Sequence, residues 1–131
     1  MAGTTTFHSF RDLLVWQRAM QMVETIYKLT KQFPKEELYG LTSQMRRNAV
    51  SIPCTIAQGK GMRTRKEFLS SLRKAQSTSA ELDTQIEIAK GLHGEEVGDF
   101  KKAQGLLTEV EKMLHVLARK MQPARKTESA S

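Results

Sequence analysis

Four basic residues crowd into a short stretch of the chain. Lys60, Arg63, Arg65 and Lys66 fall within seven positions, and a glycine stands on each side of the first lysine. Cations at this density could bind phosphate, either as a nucleotide loop or as a nucleic-acid contact. The nucleotide loop fails on spacing, because a Walker A loop has the pattern G-x-x-x-x-G-K-[ST] after a strand, and this stretch follows a helical segment. A nucleic-acid contact and a solvated turn between helices both stay open.

Other residue types with catalytic or metal-binding chemistry are scattered. His8, His93 and His115 form no H-x-x-x-H pair, and neither C-x-x-C nor the E-x-x-H pattern of di-iron bundles occurs. Cys54 has no histidine nearby in sequence, so we expect an inert thiol that is buried or half-buried. The glutamate pairs 36–37 and 95–96 fall at the starts of helical segments, where the helix dipole favours acids. The sequence therefore predicts no cofactor, no metal and no enzyme.

The chain is strongly basic. It has 131 residues, with 21 Lys and Arg against 14 Asp and Glu, which gives a net charge of +7. This excess favours a polyanionic partner such as RNA, DNA or an acidic protein. The single cysteine excludes an intrachain disulfide and suits a reducing compartment. No secretory signal and no apolar run of membrane length occurs, so we expect a cytoplasmic protein that does not enter the membrane.

Apolar residues spaced three and four apart predict four helices and no sheet. The predicted helices span residues 9–32, 36–58, 64–92 and 95–121. Gly40 could break the first turn of the second helix, whose firm part would then begin near Leu41. The four helices form one domain over residues 9–122, between a flexible N-terminus at 1–8 and a disordered basic tail at 123–131. With short connections, the helices should pack as an all-α, up-down-up-down antiparallel four-helix bundle.

Caps and glycines mark the ends of these helices. Ser9 opens an S-x-x-D pattern at the start of the first helix, and Thr64 opens a T-x-x-E capping box at the start of the third. Gly59 is interpreted as the C-terminal cap of the second helix, and Gly94 as that of the third. Pro53 either kinks or ends the second helix, and the apolar spacing that continues beyond it favours a kink.

The first helix has a wide apolar face. One row of apolar residues runs from Leu13 to Tyr27, and a neighbouring row runs from Val15 to Phe33. Together the rows cover about 200° of the helix. Because the edge of a monomeric bundle needs a narrower stripe, we expect a contact with a second subunit. A more central position within the monomer is the alternative.

In an up-down bundle, the turn at residues 60–66 lies at the same end as both chain termini. The candidate nucleic-acid-binding residues are Lys60, Arg63, Arg65 and Lys66, with Arg46, Arg47, Arg119 and Lys120 as secondary contacts. Arg11, Arg125 and Lys126 should lie nearby. We call the region formed by the 60–66 turn and the end of the fourth helix the basic end. No aromatic residue is interleaved with these cations, so we expect backbone binding without base stacking. A basic end that only meets water is the competing interpretation.

Several motifs between Phe10 and Met121 resemble those of one family. They are Phe10-Arg11-Asp12-Leu13, Val15-Trp16-Gln17, Phe33-Pro34-Lys35-Glu36-Glu37, Tyr39-Gly40-Leu41-Thr42-Ser43-Gln44, Arg46-Arg47-x-Ala49-Val50-Ser51-Ile52-Pro53, Ile56-Ala57-x-Gly59 and Ala80-Glu81-Leu82-x-Thr84-Gln85-Ile86-Glu87-Ile88-Ala89. The family is named for the 23S rRNA intervening-sequence proteins, which are four-helix bundles. The chain departs from it at SIPCTIAQG, where the family usually has SIPSNIAEG.

The resemblance implies a bacterial bundle that assembles as a homopentamer. The family is similar to the accessory variability determinant of diversity-generating retroelements, a basic pentameric barrel that binds a reverse transcriptase and nucleic acid. We therefore expect a non-enzymatic oligomer that binds the backbone of RNA or DNA, in a role accessory to a reverse transcriptase or another RNA-handling enzyme. The alternative is a scaffold that docks an acidic partner protein without nucleic acid.

Overall fold

The computed structural model describes residues 9–123, which fold into four α-helices. The helices are α1 (Leu14–Lys31), α2 (Leu41–Lys60), α3 (Arg65–His93) and α4 (Phe100–Met121). Short 3₁₀ turns at Phe10–Asp12, Lys35–Glu37 and Glu95–Val97 occupy the connections. Every regular element in the described range is helical, so the all-α prediction is confirmed. The predicted flexible N-terminus and nearly all of the predicted tail lie outside the described residues.

The helices close into a bundle around one core. α1 packs on α2, α2 on α3 and α3 on α4, and α1 also packs on α4. Each helix contributes an apolar stripe, whose fully buried side chains include Met22 in α1, Ile52 in α2, Leu82 in α3 and Leu114 in α4. Burying one side chain of this size contributes about 1.5–3 kcal/mol. This burial is what drives the four amphipathic helices together.

The first α-helix begins at Leu14 rather than at Ser9. The hydroxyl oxygen of Ser9 accepts a hydrogen bond from the backbone N–H of Arg11 at 3.1 Å, so Ser9 caps the 3₁₀ turn instead. Leu13 is extended, with φ −76° and ψ 123°, and separates this turn from α1. Ser9 therefore acts as a cap, as predicted, but it caps the 3₁₀ turn and not α1.

The second and fourth helices also begin after the starts of their predicted ranges, and α2 does so at the break expected from Gly40. α2 begins at Leu41, whose N–H donates to the Glu37 carboxylate at 3.2 Å. α4 begins at Phe100, because Gly98 is extended and the Asp99 carboxylate accepts from the N–H of Lys102 at 3.1 Å. The glutamate pairs that precede these helices thus lie in 3₁₀ turns and not in the first turn of an α-helix.

The second helix continues through Pro53 to Lys60, in line with the apolar spacing. Gly59 is not its C-terminal cap, since Gly61 occupies that position and donates its N–H to the Gln58 carbonyl at 3.2 Å. Gly59 is buried against α3, and a Cβ added there would lie 2.4 Å from the Cβ of Ser71. The glycine is therefore required for the close approach of α2 and α3.

Both ends of α3 follow the predicted signals. The Thr64 hydroxyl oxygen accepts from the N–H of Glu67 at 3.0 Å, and the Glu67 carboxylate accepts from the N–H of Thr64 at 3.2 Å, which completes the capping box. Gly94 follows the last turn with φ of +88°, a conformation that other residues rarely adopt. Local hydrogen bonding and backbone freedom therefore set the length of α3.

A buried polar side chain joins α2 to α3. The side-chain oxygen of Gln85 accepts from the Asn48 amide at 3.0 Å, and its nitrogen donates to the Gln44 side-chain oxygen at 3.4 Å. A buried amide without partners is costly, so these bonds favour one alignment of the two helices.

Candidate nucleic-acid interface

The turn between α2 and α3 presents a group of cations to solvent. Arg63, Arg65 and Lys66 are exposed, and Lys60, the last residue of α2, is half-buried. Only four residues separate the two helices, because the cap of α2 and the capping box of α3 follow one another directly. The helix ends thus hold the backbone that carries these cations.

The last turn of α4 lies against this group. Nη2 of Arg65 donates to the backbone carbonyl of Lys120 at 3.3 Å, which ties the start of α3 to the end of α4. Arg119 and Lys120 are both exposed there. The structure therefore brings the 60–66 turn and the two cations of α4 together at one end. Arg125 and Lys126, predicted at the same end, lie outside the described residues.

Aromatic rings stand beside these cations, although the sequence showed none interleaved with them. Nζ of Lys60 lies 5.8 Å from the centroid of the Phe68 ring, and the guanidinium carbon of Arg11 lies 4.6 Å from that of Phe10. Both rings are half-buried, and Phe10 also meets Trp16 edge-on at 5.2 Å. Because a cation already covers each ring, the contacts hold the cations in place and leave little surface for base stacking.

Arg46 and Arg47 lie in the first half of α2, away from the basic end. Nε of Arg46 donates to the Thr30 hydroxyl at 2.8 Å, and Nη2 donates to the Tyr27 carbonyl at 3.3 Å. Its guanidinium carbon also lies 4.5 Å from the centroid of the Tyr27 ring. Arg46 thus fastens α2 to the last turns of α1, where the helix dipole favours a positive charge. Arg47 is exposed and is the one of the pair that is free to reach a phosphate.

The opposite end of the bundle holds a hydrogen-bonded acid. Oε2 of Glu37 and Nε2 of His93 are 2.7 Å apart, and both side chains are half-buried. The other carboxylate oxygen of Glu37 accepts from the N–H of Leu41. The bond with His93, and then the bond from Leu41, hold the pKa of Glu37 below its ordinary value. The fold therefore keeps a negative charge at this end.

Cys54 is exposed, so the prediction of a buried or half-buried thiol was wrong. Its neighbours Ile52 and Ile56 are buried in the core stripe of α2, and a residue midway between them points to the opposite side of a helix. Within the described residues, no three His, Cys, Asp or Glu side chains are grouped to hold a metal ion. The helices of that range also include none long and apolar enough to cross a membrane.

One protein family matches most of this chain. The family of the 23S rRNA-intervening sequence protein matches residues 11–116, from the turn before α1 into the last turns of α4. The chain belongs to this family. The resemblance inferred from the motifs is thereby confirmed, and the four helices of the structure agree with it. No curated protein matches the chain.

In this member of the 23S rRNA-intervening sequence protein family, the candidate residues fall into two groups. The matched range includes the 60–66 turn together with Arg46 and Arg47, and it ends before Arg119 and Lys120. The basic end therefore combines cations from the matched part of the chain with cations that follow it.

Proposed function

We propose that this protein is a non-enzymatic, homo-oligomeric bundle that binds the backbone of RNA or DNA through its basic end. The observation that carries the proposal is the hydrogen bond from Arg65 to the Lys120 carbonyl, which gathers two basic segments into one surface. Five exposed cations lie on it: Arg63, Arg65, Lys66, Arg119 and Lys120. Such a cluster attracts nucleic acid because each phosphate contact releases condensed counterions.

The proposal includes an up-down-up-down antiparallel arrangement of the helices. Contacts between helix ends support it: Arg65 at the start of α3 reaches the end of α4, and Gly59 at the end of α2 lies against Ser71 early in α3. At the other end, His93 in the last turn of α3 reaches Glu37, just before α2. With this topology, the basic turn and the end of α4 share one end of the molecule.

Uncovered apolar surface supports the oligomer. The apolar row that begins at Val15 is buried, but Met20, in the row that begins at Leu13, is 40 % exposed. Tyr39 lines a groove between α1 and α2 and is 93 % exposed. Val50 on α2 and Tyr27 on α1 continue this surface, which we call the α1–α2 face. Exposed apolar patches of this kind are typical of protein interfaces. We propose that the face packs on a neighbouring subunit in a pentamer, as the family resemblance implies.

A pentamer would repeat the basic end five times and concentrate its positive potential. The overall charge of +7 per chain supports this source of affinity. On the strength of the resemblance, the proposed setting is the bacterial cytoplasm, in a role accessory to a reverse transcriptase or another RNA-handling enzyme.

The test is the binding of a fluorescein-labelled single-stranded RNA, and of DNA of the same sequence, across a salt series. Replacing Arg63, Arg65 and Lys66 with alanine should weaken binding at least about ten-fold and reduce the salt slope by roughly 2–3. The control replaces three exposed lysines outside the basic end, Lys31, Lys35 and Lys101, with alanine, which removes the same charge. It should change affinity much less.

An unchanged affinity and salt slope in the basic-end variant would remove this assignment. Capture of an acidic protein without any nucleic-acid binding would favour the scaffold instead. Light scattering tests the oligomer separately, since a wild-type mass of 14.8 kDa would refute the pentamer. Val50→Glu, which places a charge in the α1–α2 face, should shift the mass toward that of the monomer.

A further inference from the structure

A second apolar groove lies between α1 and α4. Its volume is about 390 Å³. Its walls include Leu14 on α1, which is 56 % exposed, and Val116 on α4, which is 50 % exposed. Met113 and Leu117 also line it; they are half-buried and pack on the core. The groove therefore presents a continuous apolar surface that the described part of the chain leaves open.

Lysines flank this groove along α4. Lys112 and Lys120 are exposed and are the charged residues among the described residues that line it. They are eight positions apart, or about 12 Å along the helix axis. The backbone carbonyl of Lys120 accepts from Arg65, which anchors that end of the groove to α3. An occupant that matches this surface is apolar on one face and acidic on its flanks.

We propose that the groove binds an acidic amphipathic helix of a partner protein. A third helix can lay its apolar face into the groove between two others, with contacts at i, i+3, i+4 and i+7. Carboxylates about two turns apart on that helix would meet Lys112 and Lys120 as charge-assisted hydrogen bonds. Nucleic acid fits less well, because the aliphatic side chains of Leu14 and Val116 offer no face on which a base could stack.

A second copy of this chain is disfavoured by charge. The α1–α2 face proposed above as the subunit contact is lined by Arg46 and Arg47. Pairing that face with a groove flanked by two lysines would place like charges together, which costs binding energy. A partner with acidic flanks gains attraction at the same positions.

The groove shares Lys120 with the basic end but does not include Arg63, Arg65 or Lys66. A partner helix in the groove would therefore lie beside any nucleic acid on the basic end. Because the groove and the 60–66 turn can be changed one at a time, helix binding in the groove and nucleic-acid binding at the basic end can each fail without the other.

The probe is a synthetic fluorescein-labelled helix with leucines at i, i+3, i+4 and i+7 and glutamates on both flanks. A matched peptide has lysines in place of the glutamates. Fluorescence anisotropy with the full chain should show saturable binding of the acidic peptide and little binding of the basic one. Val116→Glu and, on the opposite wall, Leu14→Glu should each weaken binding at least about ten-fold, because each places a like charge in the groove.

Ile88→Glu is the matched control. Ile88 is an apolar residue on α3 with a similar exposure of 46 %, and its replacement should leave the affinity unchanged. The alanine variant at Arg63, Arg65 and Lys66 should also keep most of the peptide binding. Circular dichroism establishes that each variant retains its helices before its affinity is compared.

Five outcomes would overturn the inference. Binding of the acidic peptide that does not saturate, or that Val116→Glu and Leu14→Glu leave unchanged, would exclude the groove. Binding lost only in the basic-end variant would place the peptide on the basic end. A smaller mass for Val116→Glu in light scattering would assign the groove to a second copy. Weaker RNA binding by the same variant, without competition from the peptide, would assign it to nucleic acid.

Discussion

Glu37 and His93 share a 2.7 Å hydrogen bond that joins the turn before α2 to the last turn of α3. The two residues are 56 positions apart in the chain. The same carboxylate caps α2 by accepting from the N–H of Leu41 at 3.2 Å. One acidic side chain therefore holds the ends of two helices, and its ionised form is the one that both bonds favour.

Glu37→Gln should lower the free energy of unfolding at neutral pH by about 1 kcal/mol, which is less than for a buried charged hydrogen bond because solvent screens this half-buried pair. The pKa of Glu37 is lower in the folded state than in the unfolded one. Its contribution is thus complete above the unfolded pKa and is lost as the pH falls through the folded pKa. Urea denaturation along an acid pH series should show a smaller loss for the variant than for the wild type.

The control for this experiment is Glu36→Gln, at an exposed neighbouring position. It should follow the wild-type pH profile. Parallel profiles for Glu37→Gln and the wild type would show that the carboxylate of Glu37 does not stabilise the fold.

Gly59→Ala should destabilise the bundle by about 1–3 kcal/mol, since the added methyl group would lie 2.4 Å from the Cβ of Ser71. Gly105→Ala is the matched control in α4, where an added Cβ meets no atom within 4 Å. That variant should stabilise the protein by about 0.5–1 kcal/mol, because alanine has the higher helix propensity. Urea denaturation of both variants measures the difference, and equal effects would contradict a close approach of α2 and α3 at Gly59.

Arg46→Ala should lower the free energy of unfolding by about 1–2 kcal/mol, because it removes the hydrogen bonds to Thr30 and to the Tyr27 carbonyl. Arg47→Ala, at an exposed position, should change it by less than about 0.5 kcal/mol. Thermal unfolding measures the stability of both variants, and fluorescence anisotropy with labelled RNA measures whether either arginine contributes to nucleic-acid binding. A variant at Arg46 that keeps its stability but loses RNA binding would reverse the assignment of the two arginines.

Glu111→Gln should stabilise the protein at neutral pH. Burial, and then the neighbouring Asp83, raise the pKa of Glu111. Ionisation of this group therefore opposes folding. The protonated carboxyl contributes stability to the folded state, which is fully present below the unfolded pKa and is lost as the pH rises through the folded pKa. The gain should be roughly 0.5 kcal/mol or less, because solvent screens a partly exposed carboxylate.

Urea midpoints at neutral pH and below the ordinary pKa of glutamate test this, and the gain should vanish in acid. Glu109→Gln is the control two positions away, since Glu109 pairs with Arg18 at 3.1 Å and its loss should not stabilise the protein. A gain from Glu111→Gln that persists in acid would point to a cause other than ionisation.

The helical class, the core stripes and the family could all be predicted from the sequence. Apolar spacing and capping signals are properties of a few neighbouring residues, and the Thr64 capping box appears in the structure at its predicted position. The α-helices α1, α2 and α4 begin after the starts of their predicted ranges, because Ser9 caps a 3₁₀ turn and the two glutamate pairs lie inside 3₁₀ turns of their own. Local pattern alone does not distinguish a short turn from the first turn of an α-helix.

The sequence by itself thus determined which segments are helical and that one short turn is rich in cations. Only the tertiary structure decided that Gly59 permits a close helix contact and that Arg46 is bonded to α1 while Arg47 is exposed. It also brought Arg65 to Lys120, 55 positions away. The physical reason is that propensity acts over a few residues, whereas these contacts exist only when the packing of the whole bundle brings distant segments together.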